Sequence, residues 1–178
     1  MRVCVLSSGS KGNSTYVETK NHKILIDIGT SSLYVEKALK EINVNPSDID
    51  VLLITHSHVD HIGALRNFLT KRSIKIFKRS NLEEKEYTVG DFKFNCILTP
   101  GHSKDSVTFY FKEENTMFIG DFIFKDSIGR TDLPGGSDIE MKESITKIKE
   151  YPNDTILYPG HYESTTLGYE KENNEYLK

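Results

Sequence analysis

Three histidines and an aspartate crowd into six residues of this chain, as His56-Ser57-His58-Val59-Asp60-His61. Imidazole and carboxylate are the ligands that suit Zn²⁺, Fe or Mn, and no thiolate is needed beside them. In a tight loop ahead of a helix, His56 and His58 can point to one side while Asp60 and His61 reach another. A surface poly-histidine tract is the bland alternative. The apolar run Val51-Leu52-Leu53-Ile54 before the cluster and the helix-like Ile62, Leu65 and Leu69 after it argue against that. Two more histidines and a second aspartate stand in the same kind of place. Cys96-Ile97-Leu98 leads through Thr99-Pro100-Gly101 to His102, Thr116-Met117-Phe118-Ile119 through Gly120 to Asp121, and Thr155-Ile156-Leu157-Tyr158 through Pro159-Gly160 to His161. Buried apolar strands are rigid, so side chains placed just after them are held at little ordering cost. If these strand ends lie together, seven ligands converge, too many for one tetrahedral ion and right for two ions sharing a water. The remaining histidine, His22, sits in the polar turn Lys20-Asn21-His22 and reads as an ordinary one.

The elements that must position these groups are legible in outline. Arg2 to Leu6, Thr15 to Glu18 and Lys23 to Ile28 are short β-branched runs separated by turn-type sequence, including Ser-Ser-Gly-Ser-Lys-Gly-Asn over 7–13. Ser32 is placed to cap a helix with Val35, Ala38, Leu39 and Ile42 on one face, ended by Pro46-Ser47. Strands are expected over Ile74 to Phe77, Phe92 to Leu98, Val107 to Phe111 and Thr116 to Ile119. Ser137 with Glu140 three residues on is a capping box for a helix carrying Met141, Ile145 and Ile148, which Tyr151-Pro152 ends. A last strand over Thr155 to Tyr158 and a short polar helix from Leu167 complete the chain. Strands and helices alternate around buried sheet, so the class is α/β or α+β with two sheets.

Composition narrows the possibilities. At 178 residues and 37% hydrophobic content the chain is expected to form one domain over residues 1–178, with a core that needs no staples. No charge-free apolar run nears membrane-spanning length, and the amino terminus lacks a secretory-type apolar stretch, so a cytoplasmic protein without a membrane partner is expected. A net charge of −3 argues against coating nucleic acid by bulk electrostatics. Cys4 and Cys96 lack metal-type spacing and read as buried thiols.

The motifs resemble those of the metallo-β-lactamase-fold hydrolases, and among them the small glyoxalase II-like (hydroxyacylglutathione hydrolase-like) enzymes. Thr55-His56-Ser57-His58-Val59-Asp60-His61 is similar to the family's signature loop, Thr99-Pro100-Gly101-His102-Ser103 to its second histidine motif, Gly120-Asp121 to its bridging aspartate, and Tyr158-Pro159-Gly160-His161 to its last histidine. The stretch from Asp126 to Gly136, with Gly129-Arg130-Thr131-Asp132 at its centre, and the tail from Thr165 to Glu170 with Asn174 are similar to the glyoxalase II-like branch. The resemblance implies an α+β fold, the αββα sandwich of two mixed β-sheets with helices on the outer faces. It implies two divalent ions, Zn²⁺ first with Fe or Mn as alternatives. His56, His58 and His102 would hold one ion, Asp60, His61 and His161 the other, and Asp121 would bridge. The implied chemistry is thioester hydrolysis of an acylated small thiol by a metal-bridging hydroxide, with Asp60 orienting the nucleophile and Tyr16, Arg130 and Tyr162 as substrate contacts.

Three features depart from that pattern. Long glyoxalase II enzymes carry an added helical domain, for which this sequence has no counterpart, so an open site and a small-molecule substrate are expected. Tyr162-Glu163 follows His161 where small relatives usually have Gly-Pro, and the 7–13 loop is more similar to family members of the DNA-processing exonuclease type. The loop and the basic residues Lys71, Arg72, Lys75, Lys78 and Arg79 keep a phosphodiesterase or nuclease as one alternative, although Glu83, Glu84 and Glu86 follow at once. An iron-dependent persulfide dioxygenase is a second alternative, and a non-catalytic binding module that kept the fold a third.

Overall fold

The computed structural model describes residues 1–70 and 72–178. Lys71, the first of the basic residues named above, lies outside the described residues. Contacts divide the chain into two compact units, one of residues 1–82 with 88–92 and one of residues 83–87 with 93–178.

The first unit holds a five-stranded sheet in the order β1 (Arg2–Ser7), β2 (Ser14–Glu18), β3 (Lys23–Ile26), β4 (Val51–Leu53), β5 (Lys75–Phe77). The first three strands run antiparallel through short turns. The β3–β4 and β4–β5 pairs are parallel, because helices intervene and return the chain to the same end of the sheet. Those helices are α1 (Ser32–Glu41), α2 (Val59–Ile62) and α3 (Leu65–Leu69). Ser31, not Ser32, caps α1, its side chain accepting from the Tyr34 amide, since the helix begins one residue earlier than the apolar face suggests. Tyr16, Leu25, Ile28 and Leu52 pack with Val35 and Leu39 of α1 and Phe68 of α3 in one apolar cluster. What reads as one helix after the histidine cluster is two short ones, joined at Gly63-Ala64.

A six-stranded sheet runs in the order β13 (Thr165–Thr166), β12 (Ile156–Pro159), β9 (Thr116–Gly120), β8 (Val107–Phe111), β7 (Phe92–Leu98), β6 (Glu86–Val89), its residues belonging to the second unit except Thr88, Val89 and Phe92. Every residue of β8 and β9 is buried, which explains their unbroken apolar and β-branched runs. A separate hairpin pairs β10 (Ile123–Phe124) with β11 (Ser127–Ile128). Helix α4 (Asp138–Ile148) starts at Ser137, which accepts from the Glu140 amide, and packs Met141, Ile145 and Ile148 into a cluster with Ile97, Met117, Ile119 and Leu157. Helix α5 (Leu167–Asn173) adds Leu167 to the same cluster.

Candidate metal centre

Within the first unit, β4 leads through Ile54-Thr55 to His56, and His58 is the residue from which α2 starts, so Asp60 and His61 fall in that helix's single turn. The rings of His56 and His58 lie 4.7 Å apart and those of His56 and His61 4.0 Å apart. His56 and His61 are buried, while His58 and Asp60 are half-buried.

Two residues that sequence reasoning passed over organise this loop. Asp27, at φ 59° just after β3, is buried and accepts from the Thr55 amide at 2.7 Å, from Thr55 Oγ1 at 2.7 Å and from His61 Nδ1 at 2.7 Å. Asn13, the last residue of the 7–13 loop, donates its backbone N–H to the Asp60 carbonyl at 2.7 Å and brings its side-chain amide to 2.9 Å from His61 Nε2 and 3.4 Å from Asp60 Oδ2. Gly29 is required beside them, because a Cβ there would lie 1.5 Å from the Asp60 carbonyl oxygen. The available signal for Asp27 was the rule that singled out Asp121: an acid directly after an apolar strand.

Within the second unit, β7 runs into the His102 turn, β9 into Gly120-Asp121, and β12 into Gly160-His161. Strand β12 pairs in parallel with β9, Pro159 opposite Gly120, so His161 and Asp121 emerge at one sheet end. His161 Nε2 lies 3.3 Å and His102 Nε2 3.7 Å from the same atom, Asp121 Oδ2. His102 Nδ1 faces the Arg130 carbonyl oxygen at 2.8 Å. A carbonyl can only accept, so Nδ1 carries a proton and Nε2 is the nitrogen turned toward Asp121.

The donor set fits divalent ions. Two buried imidazoles each have Nδ1 engaged by an oxygen, Asp27 for His61 and the Arg130 carbonyl for His102, with Nε2 turned toward carboxylates. That is the second-layer arrangement that fixes ring and tautomer for metal binding. Nitrogen and carboxylate donors of this kind accept Zn²⁺, Fe or Mn alike.

The expected substrate contacts fare differently. Tyr16 is wholly buried in the β2 face against α1, so it packs and offers nothing to a substrate. The Arg130 guanidinium is exposed and forms a two-pronged ion pair with Asp132, both contacts 2.7 Å, while its carbonyl, not its side chain, reaches His102. Tyr162 is exposed, at φ 69°, with its ring 5.6 Å from Phe124 and 6.3 Å from His161. His22 proves more tied than a surface turn suggests. It lies between Asp50 and Asp91 and against the Phe92 ring, at 2.5, 3.5 and 5.2 Å. No helix among the described residues is long and apolar enough to cross a membrane.

The chain is 28% identical to the hydroxyacylglutathione hydrolase GloC of Haemophilus influenzae, covering 90% of this chain and 89% of that protein. The crystal structure of the BLEG-1 B3 metallo-beta-lactamase superposes with a TM-score of 0.83 at 30% identity, covering 99% of this chain and 100% of that one. TTHA1623 in a di-iron-bound form superposes with a TM-score of 0.84 at 26% identity over 96% of this chain and 98% of that one. The fold is thus the α+β metallo-β-lactamase fold with two mixed sheets. Residues 8–88 and 80–161 both match the metallo-beta-lactamase superfamily, and the chain belongs to that family.

Proposed function

We propose that this protein is a binuclear metal-dependent thioesterase of the glyoxalase II type, cleaving acyl thioesters of a small thiol. One structural relationship carries the reading. The stretch that resembles the glyoxalase II-like branch is packed onto ligand residues: the Arg130 carbonyl accepts from His102 Nδ1, and a Cβ on Gly129 would lie 1.8 Å from the Asp121 carbonyl oxygen. The kinship with a hydroxyacylglutathione hydrolase supports the same branch.

His56, His58 and His102 would hold one ion and Asp60, His61, Asp121 and His161 the other, and the family resemblance implies that Asp121 would be shared between them. Bound there, the ions would supply a water ionised near neutral pH and a Lewis acid for the carbonyl oxygen. Asp27 and the Arg130 carbonyl hold their imidazoles in one tautomer, so no reorganisation is needed when substrate arrives. Asp60, with Oδ2 within 3.4 Å of the Asn13 amide, is the carboxylate that orients the attacking water. Thiolate leaves readily, so no strong general acid is required. Tyr162 and Arg130 stand as the contacts to the small-molecule substrate. Zn²⁺ is the first expectation for the metal, in a single-domain cytoplasmic enzyme.

The 7–13 loop, which kept a nuclease open, is used here to tie Asn13 to Asp60 and His61. Two of the basic residues are likewise engaged. Arg72 pairs with Glu36 at 2.8 Å and lies over the Phe68 ring, and Lys75 lies over Phe77. Both facts favour the thioesterase over the phosphodiesterase.

The test is turnover of S-lactoylglutathione and related thioesters by Zn-, Fe- and Mn-loaded protein. Hydrolysis well above that of a His58→Ala variant is expected, and equality of the two would remove the proposal. Oxygen uptake with glutathione persulfide would replace it with the dioxygenase, and cleavage of a chromogenic phosphodiester alone with the nuclease.

A further inference from the structure

Helix α5 contains a carboxylate that the chemistry above does not use. Glu170 is wholly buried, and its three partners are neutral: the Asp126 amide at 3.0 Å, Thr165 Oγ1 at 2.6 Å and Asn174 Nδ2 at 2.8 Å. Burying a carboxylate against neutral donors is expensive, so the geometry it imposes is the place to look for a benefit. Asn174, also wholly buried, turns the same amide to the carbonyls of Phe124 at 3.3 Å and Ser127 at 2.9 Å.

All three of those backbone groups belong to one small element, the β10–β11 hairpin with Asp126 at φ 61° in its turn. Two residues per strand cannot hold a hairpin by themselves. Its ends are the parts that matter. Asp121 stands just before β10, and Gly129-Arg130 just after β11, with the Gly129 amide donating to the Phe122 carbonyl at 3.0 Å. Phe124 of β10 lies 5.6 Å from the His161 ring. The hairpin therefore touches all three ligand residues of the second unit: Asp121 through the chain, His102 through the Arg130 carbonyl, and His161 through Phe124.

We infer that Glu170 and Asn174 are positioning residues for the metal centre, clamping the β10–β11 hairpin so that Asp121, His102 and His161 keep a metal-binding geometry. The inference rests on the ligand set proposed above but not on the reaction, and it holds for any chemistry run there.

The experiment is titration of the metal-free full chain with Co²⁺, followed by its visible absorption, in the wild type, Glu170→Gln, Asn174→Leu and Leu39→Ala. The last variant removes packing from the first unit's core and serves as the control for stability loss alone. Folded Glu170→Gln protein with Co²⁺ affinity reduced at least tenfold, while Leu39→Ala with a similar fall in Tm keeps wild-type affinity, is the expected result. Glu170→Gln within twofold of wild type would overturn the inference, and so would an equal loss in Leu39→Ala. If Glu170→Gln does not fold, Asn174→Leu is judged by the same criteria, with Glu170→Asp beside it. A wild type that takes up no Co²⁺ would remove the ligand set itself, a failure distinct from that of the clamp.

Discussion

His61 and Asp27 meet through Nδ1 and Oδ2 at 2.7 Å with the ring fully buried and the carboxylate nearly so, though 34 residues separate them in the chain. One carboxylate thereby orients a ligand ring and, through Thr55, the loop that carries the other histidines. An amide at this position keeps the shape but turns N–H against a donor. Asp27→Asn is expected to weaken metal binding by about 10–100-fold and to cost about 1–3 kcal/mol of stability. A chelator competition and a urea titration would measure the two, and unchanged metal affinity would show that Asp27 is packing only.

Gly29 faces the backbone of the ligand loop, with Asp60 C and O and the Asn13 amide nitrogen all within 2.7 Å of where a Cβ would stand. Those are main-chain atoms and cannot swing aside. Gly29→Ala should lower stability by about 2–3 kcal/mol and displace Asp60, reducing metal uptake with it. Thermal unfolding with and without Zn²⁺ checks this, and a Tm within a degree of wild type would refute it.

Tyr16 offers a pH signature. Burial first, and the Glu18 charge second, push its hydroxyl up to about 12 from the usual 10. The fold thus favours the neutral phenol. Below pH 10 both folded and unfolded chains hold the proton and stability is undiminished. Between pH 10 and 12 only the unfolded chain releases it, so stability falls as pH rises. Urea midpoints measured from pH 9 to 12 should drop more steeply for the wild type than for Tyr16→Phe, and parallel curves would contradict the assignment.

Tyr162 holds φ 69°, a conformation that costs a non-glycine residue about 1 kcal/mol or more, while its ring is largely exposed. Backbone strain beside His161 is retained without compensating burial, as expected of a side chain kept for contact with substrate. Tyr162→Gly is predicted to leave Tm unchanged or slightly raised and to increase KM for thioesters several-fold with kcat less affected. A lowered Tm with unaltered KM would make it structural.

Arg130 is predicted to divide in the same way. Its side chain pairs with Asp132 in solvent, and that guanidinium holds the Asp132 carboxyl down at about 2. Exposed pairs of this kind add little to stability. Arg130→Ala should leave both Tm and Co²⁺ affinity unchanged, because the group that reaches His102 is the main-chain carbonyl, and should raise KM if the guanidinium meets substrate. Loss of metal affinity would show that the ion pair holds the loop.

The amino-acid sequence by itself determined the candidate ligands. His-x-His-x-Asp-His behind an apolar strand is a local pattern, and so are the turn residues that present His102, Asp121 and His161. Side-chain periodicity likewise marks the longer elements, α1, α4, β7 and β8, though α1 and α4 stop short of the prolines that follow them, because burial on one face or both is written into consecutive residues. Only tertiary structure decided what supports the ligands. Asp27, Asn13, Glu170 and Asn174 act across 34, 48, 44 and 50 residues, on His61, His61, Asp126 and Phe124 respectively, and no local pattern marks a partner that distant. The two-residue strands β10, β11 and β13 escaped for a related reason: cross-chain hydrogen bonds define them, and a run of two has no period. The fate of Tyr16 followed from the face of β2 that α1 covers, which is a choice of packing and not of residue type.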